Sequence, residues 1–135
     1  MNEKDFDFWQ EHSLRFLDMA FRSDRQETVS NPDGLGSRTG DCGDIVTFFL
    51  TIRGEKIQSI SIETHGCLHT NACANTVCEL VEGKSVEEAW TVRPEDVADY
   101  LETLPKDHTH CAELAVGALY LALADSKRRS GRAAA

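Results

Sequence analysis

The chain has 135 residues, enough for one domain with a single core and too few for two comfortable ones. Its net charge of −9 argues against nucleic-acid binding, because such surfaces need Lys and Arg to neutralise phosphates. No apolar run reaches the roughly 18 residues of a membrane span, and no signal peptide is visible, so we expect a cytoplasmic protein. In that reducing compartment five cysteines indicate metal or sulfur chemistry, or burial, more than disulfides.

The N-terminal half is predicted to contain a helix, a loop and a β-hairpin. Residues 4–22 place apolar side chains at helical spacing. The polar, glycine-rich stretch 30–44 is typical of a loop. Residues 45–52 and 57–65 are rich in β-branched and aromatic side chains, and the intervening RGEK supplies a turn, so they predict an antiparallel hairpin.

The C-terminal half is predicted to be helical. The expected helices are 70–82, a short one opened by the capping box SVEE, one that begins with Pro94 and ends at Pro105, and one from about Thr109 to Lys127. This order predicts a single α+β domain over 1–135, with helices on one face of a small antiparallel sheet of about three strands. It includes an N-terminal helix in 1–25 and a flexible tail at 128–135.

Three cysteines and two histidines fall within THGCLHTNACANTVC, residues 64–78. The spacing is poor for a local zinc knuckle, whose paired ligands stand two to four residues apart. Cys73 and Cys78 are five positions apart on a predicted helix, so they point about 140° apart and are expected to be buried thiols. Cys67 follows Gly66 where a strand meets a helix, and a helix N-terminus favours a thiolate.

Two further cysteines lie at comparable junctions. Cys42 stands in a glycine loop with Asp44 two residues on, and Cys111 opens the last helix directly after His110. If these junctions converge with Cys67, three thiolates and a carboxylate or imidazole would suit zinc or iron in a cluster. Spacing alone leaves ordinary core or surface thiols as an alternative.

The motifs CGDIVTFFLTI, GC, GKSVEEAW and LPKDHTHCAELA, in this order, resemble the iron–sulfur cluster scaffold family of IscU and the N-terminal domain of NifU. The resemblance spans about residues 30–127. It implies an IscU/NifU-N-like fold and a scaffold, not a turnover enzyme, on which a [2Fe–2S] cluster is built and passed to apo iron–sulfur acceptor proteins. A cysteine desulfurase would supply the sulfur, and protein purified in air would carry Zn²⁺.

The resemblance also implies roles for individual residues. The cluster would be held by Cys42, Asp44, Cys67 and Cys111, with His110 as a further metal ligand. Asp44 would keep the site labile, and whether Asp44 or His110 is the fourth ligand stays open. Cys111 would be the first acceptor of sulfur, as a persulfide.

The chain departs from the family pattern at three places. LPPVK is replaced by LPKDH, with His108 at the position of the lysine, which argues against hand-off by a dedicated chaperone of the HscA type. Leu68 and His69 follow the GC turn where the family has small residues. A short link from residue 31 to Cys42 indicates that an early strand is reduced or lost. The roles of His69 and His108 stay open.

A zinc-dependent sulfurtransferase, which accepts persulfide sulfur and stimulates a desulfurase, is the main alternative. Relatives of that kind have a longer segment between the second and third cysteines. Here Cys67 and Cys111 are 44 positions apart, which favours the scaffold type. A degenerate relative that binds iron or regulates the desulfurase is a third hypothesis.

Overall fold

The computed structural model describes residues 13–134, and side chains up to residue 130. The helices are α1 (Leu14–Phe21), α2 (Leu68–Val81), α3 (Val86–Ala89), α4 (Pro94–Leu101) and α5 (Thr109–Ala134). The strands are β1 (Gly34–Thr39), β2 (Ile45–Arg53) and β3 (Lys56–His65). A 3₁₀ turn, Lys106–His108, leads into α5. Within these residues no helix is long and apolar enough to cross a bilayer.

The strands form one antiparallel sheet in the order β1-β2-β3. Phe48 of β2 stands opposite Gly36 of β1 and Ile62 of β3. Gly54 and Glu55, between β2 and β3, have φ of 57° and 66°. Positive φ at both central residues is the mark of a type I′ turn, whose twist matches that of the strands. The hairpin prediction is confirmed.

One face of the sheet is covered by helices. Its buried side chains are Val46, Phe48, Leu50, Ile60 and Ile62. Helix α5 lies against β1 and β2, and α2 lies against β3. Alternate residues of a strand share a face, so the period-two pattern of the hairpin supplies this core surface directly. The predicted α+β class with about three strands is confirmed.

Strand β1 corrects the prediction of a loop over 30–44. Gly34 and Gly36 face α5, where the helix backbone lies directly on the strand. A Cβ added at Gly34 would be 2.5 Å from the carbonyl oxygen of Ala122, and one at Gly36 would be 2.5 Å from that of Ala118. The prediction is wrong here because these glycines allow close packing rather than a turn. The early strand is therefore present.

Helix α2 crosses the interior and carries two buried cysteines. Cys73 and Cys78 are fully buried, as expected from their helical spacing. Burial raises the pKa of both thiols well above its ordinary value. Neutral, buried thiols of this kind behave as small apolar side chains.

The helix ends show one confirmation and two differences. The SVEE capping box is present, with the Glu88 amide donating to Ser85 Oγ at 3.0 Å. Helix α4 ends at Leu101 rather than near Pro105, because Glu102 takes a φ of 65° and leaves the helical conformation. Helix α5 continues beyond the expected end at Lys127, to Ala134.

The predicted N-terminal helix is described only over Leu14–Phe21, since residues 1–12 lie outside the described part of the chain. Ser13 caps it by accepting a hydrogen bond from the Phe16 amide at 3.0 Å. The Asn75 side chain of α2 donates to the Met19 carbonyl at 2.9 Å, which ties α1 to the core. This helix therefore lies beside the β3–α2 junction.

Candidate metal centre

Three chain junctions meet at one end of the sheet. The loop 40–44 between β1 and β2 carries Cys42 and Asp44, the β3–α2 junction carries Cys67, and the first turn of α5 carries Cys111. The Cys67 amide donates to Asp44 Oδ2 at 3.4 Å, although these residues belong to different junctions. Of the four residues expected to hold a cluster, Asp44 thus lies next to Cys67, and the sulfur atoms of Cys67 and Cys111 lie within 4.8 Å of each other, whereas Cys42 and Asp44 are not in that closest group of ligand atoms. The role of all four as ligands stays a prediction.

Thr70 of α2 lies at the centre of this group. Its side chain is buried, and its Oγ1 donates to Asp44 Oδ2 at 2.5 Å. The same oxygen lies 3.6 Å from the Sγ atoms of both Cys67 and Cys111. Thr70 was not among the site residues predicted from the sequence. Its position three residues after Cys67, on the same helical face, is the feature that could have indicated it.

Asp44 is held in place as an anion. A Cβ at residue 66 would be 2.7 Å from Asp44 Cγ, so only glycine leaves room for the carboxylate. The hydrogen bond from Thr70 is the main reason that the pKa of Asp44 lies below its usual value. Partial burial opposes this shift, while the Cys67 amide and the Cys42 side chain support it. The carboxylate is thus charged at neutral pH.

The three junction cysteines differ in accessibility. Cys42 and Cys67 are exposed, whereas Cys111 is fully buried. Burial raises the pKa of the Cys111 thiol to about 11, against the effect of its contact with Thr70. We call Cys67 and Cys111 the thiol pair, because Thr70 Oγ1 contacts both sulfur atoms. A bound cation would favour both as thiolates.

His108 lies beside the thiol pair, in the 3₁₀ turn that leads into α5. A ring nitrogen of His108 and the two sulfur atoms of the thiol pair all lie within 4.8 Å of one another. The half-buried His108 ring stacks on His69, with centroids 3.6 Å apart and planes 7° from parallel. The sequence assigned no role to either histidine. The position of His108 in LPKDH, where the family has a lysine, is the feature that could have indicated a role.

His110 lies further out than expected for a central ligand. Its ring is exposed, and Nε2 lies 3.6 Å from Cys111 Sγ. His110 and Cys42 also line a shallow hollow together with Arg38 and Glu113. The structure therefore places His110 within reach of the thiol pair and open to solvent.

Two groups of side chains lie near the thiol pair. We call Cys42 and Asp44 the carboxylate side, and His108 with His69 stacked on it the imidazole side. His110 lines a hollow together with Cys42 and belongs to neither group. Thiolates and imidazoles favour zinc, iron or copper(I), whereas carboxylates are harder ligands that bind these ions less selectively. This donor set excludes a site dedicated to Mg²⁺ or Ca²⁺, which take oxygen ligands.

The fold and the donor set define a small α+β protein with cysteine thiols gathered at the end of a three-stranded sheet. Residues 24–133 match the family described as the NifU-like N terminal domain. The match covers most of the chain, so the chain belongs to this family, as the resemblance predicted.

Several relatives and solved structures agree with this assignment. The chain is 33% identical over 105 residues to iron–sulfur cluster assembly scaffold protein IscU 1 of Archaeoglobus fulgidus, covering 77% of this chain and 69% of that protein. It is 36% identical over 89 residues to IscU of Escherichia coli K12, covering 65% and 69%.

The solved structures show the same fold. A protein described as an iron–sulfur cluster assembly scaffold for the SUF system, from Fervidobacterium islandicum AW-1, aligns with a TM-score of 0.72 at 21% identity, over 84% of this chain and 97% of that one. The N-terminal part of a NifU-like protein from Brucella abortus aligns with a TM-score of 0.63 at 19% identity, over 89% and 94%.

Proposed function

We propose that this protein is a scaffold for a [2Fe–2S] cluster, which is assembled from iron and desulfurase-derived sulfur and then passed to apo-proteins. The observation that carries the proposal is the convergence of Asp44 and the thiol pair on Thr70. The relatives described as iron–sulfur cluster assembly scaffold proteins support the same role.

The proposed ligands are Cys42, Asp44, Cys67 and Cys111, with His110 as an exchangeable neighbour. A scaffold must hold its cluster and later release it, and a carboxylate binds iron less firmly than a fourth thiolate would. When the Asp44 carboxylate leaves a cluster, it can again accept the hydrogen bond from the Thr70 hydroxyl. Its negative charge therefore keeps a partner. The geometry therefore supports a labile site.

Sulfur transfer is proposed to begin at Cys111. Its thiolate would attack the outer sulfur of a desulfurase persulfide, forming a new S–S bond while the desulfurase thiolate leaves. Each transferred sulfur then needs two electrons, from a thiol reductant, to become sulfide. Cys111 is buried, so the segment 105–110 must move first, whereas Cys67 is already exposed.

The test is anaerobic assembly with iron(II), cysteine, a cysteine desulfurase and a thiol reductant. Wild-type protein should gain visible cluster absorption with equal iron and sulfide content, and Cys67→Ser and Cys111→Ser should lose nearly all of it. Cys73→Ala is the matched control, because this buried thiol lies on the same helix as Thr70 and outside the ligand set. Persulfide mapping by mass spectrometry identifies the first acceptor.

Two results would contradict the scaffold proposal. One is cluster absorption that survives both serine substitutions. The other is tightly held Zn²⁺ that resists replacement by iron while the protein accelerates desulfurase turnover, which would favour the sulfurtransferase alternative. The desulfurase, the apo-protein acceptors and a cytoplasmic location are part of the proposal, and the LPKDH segment argues against the HscA-type chaperone.

A further inference from the structure

We propose that His108 is a metal ligand, and that with the thiol pair it forms a Cys₂His site for a single divalent cation of the zinc class. This site lies on the imidazole side and does not use Cys42 or Asp44. It shares two thiolates with the proposed cluster site, but it does not depend on cluster assembly.

The distances between donor atoms are close to those of a bound site. The ligand atoms of His108, Cys67 and Cys111 lie within 4.8 Å of one another. In a tetrahedral zinc site, bonds of about 2.3 Å to sulfur and 2.1 Å to nitrogen separate neighbouring ligand atoms by about 3.6–3.8 Å. Side-chain rotations that bring these atoms about 1 Å closer would complete the site.

The His108 ring is oriented for this role. Its parallel stack on His69, with centroids 3.6 Å apart, restrains tilting of the ring. Nδ1 of His108 is buried, and among the described residues it has no hydrogen-bond partner. Buried polar atoms without a partner are rare and costly, and coordination of the ring accounts for this one.

The carboxylate side is engaged elsewhere in this arrangement. Asp44 accepts hydrogen bonds from Thr70 at 2.5 Å and from the Cys67 amide at 3.4 Å. Cys42 is exposed on the loop 40–44. Three protein ligands leave the fourth coordination position open, as in other Cys₂His zinc sites. A cation held by His108 and the thiol pair therefore needs no ligand from Cys42 or Asp44.

The experiment is anaerobic Co²⁺ titration of the full chain in competition with a chelator. Thiolate-to-cobalt absorption counts the coordinating cysteines. We expect His108→Ala to weaken Co²⁺ binding at least about tenfold, and Cys42→Ser to leave both the affinity and the thiolate absorption unchanged. His65→Ala is the matched control, because that exposed histidine pairs with Glu63 outside the site.

A second variant covers the case in which His108→Ala disturbs folding. His108→Cys should retain binding and raise the thiolate-to-cobalt absorption by about half, because a third sulfur replaces the imidazole. Unchanged absorption in His108→Cys would overturn the inference. So would a loss of affinity in Cys42→Ser or Asp44→Asn with none in His108→Ala.

The cluster assay separates this inference from the proposed function. If wild-type protein forms no cluster but binds Co²⁺ through His108, the scaffold proposal fails and the Cys₂His site stands. If clusters form normally and His108→Ala leaves Co²⁺ affinity unchanged, the scaffold proposal stands and the Cys₂His site is wrong.

Discussion

The carboxylate side and the imidazole side meet the same thiol pair, but they are held in different ways. Asp44 is bound by a short hydrogen bond from buried Thr70 and packs against Gly66. The backbone around His108 makes local hydrogen bonds. For example, the His108 amide donates to the Pro105 carbonyl at 2.9 Å. We therefore expect the carboxylate side to be held more firmly than the imidazole side.

This difference suggests that the two sides have different roles in sulfur transfer. Movement of the imidazole side would expose Cys111 to a sulfur donor while Asp44 stays in position. Segments held by few tertiary contacts open at lower free-energy cost than segments tied to the core. Substitutions that perturb one side at a time test whether the two sides differ in this way.

Gly66→Ala should give the largest effect on the carboxylate side. The new Cβ would be 2.7 Å from Asp44 Cγ and Oδ2, and overpacking of this kind typically costs about 1–3 kcal/mol. Urea unfolding measures the loss. In an Asp44→Ala background the cost should fall by at least half, because the two closest atoms, Cγ and Oδ2, are gone and only Cβ, at 3.0 Å, remains.

Gly43→Ala is the control for Gly66→Ala. Gly43 has a φ of 91° but no atom within 4 Å of an added Cβ, so it tests backbone strain without crowding. A cost for Gly66→Ala that is unaffected by Asp44→Ala would contradict the proposed contact.

Thr70→Val should have an intermediate effect, because it removes the hydroxyl that donates to Asp44 and contacts the thiol pair. Loss of a hydrogen bond to a charged group costs about 1–3 kcal/mol, and Thr70→Ser should retain most of that stability. The pKa of Asp44, followed by NMR titration, should rise in Thr70→Val and stay low in Thr70→Ser.

The pH dependence of Thr70→Val follows from the sign of that shift. A carboxyl whose folded-state pKa lies below its ordinary value of 3.8 stabilises the fold above that pH, and the stabilisation is lost as pH falls through the folded-state pKa. The stability difference between wild type and Thr70→Val should therefore be largest near pH 7 and shrink on acidification. A difference independent of pH would show that Thr70 acts through packing alone.

His69→Ala should give the smallest effect, confined to the imidazole side. The ring stack on His108 is worth about 0.5–1.5 kcal/mol, so Co²⁺ affinity should fall about two- to tenfold. His69→Phe keeps an aromatic ring at this position and should retain most of the affinity. A loss as large in His69→Phe as in His69→Ala would indicate that His69 is itself a ligand.

Patterns within short stretches of sequence were sufficient to predict the β2–β3 hairpin and the start of α3. Alternating apolar residues and a turn with positive φ produced the hairpin, and the capping box began α3 where expected. Helical spacing separated Cys73 and Cys78 from the site before the fold was known. Their shared position at chain junctions brought Cys42, Cys67 and Cys111 together as candidates, and the resemblance to a known family then implied their roles as ligands.

The sequence by itself thus determined the fold class, the hairpin and the cysteines that gather at the site. Only the tertiary structure showed that Gly34 and Gly36 form a strand, because their role depends on α5, more than 80 residues further along the chain. It also showed that Thr70 links Asp44 to the thiol pair, and it placed His108 beside that pair. Each of these depends on distances between remote segments, which periodicity within one segment does not encode.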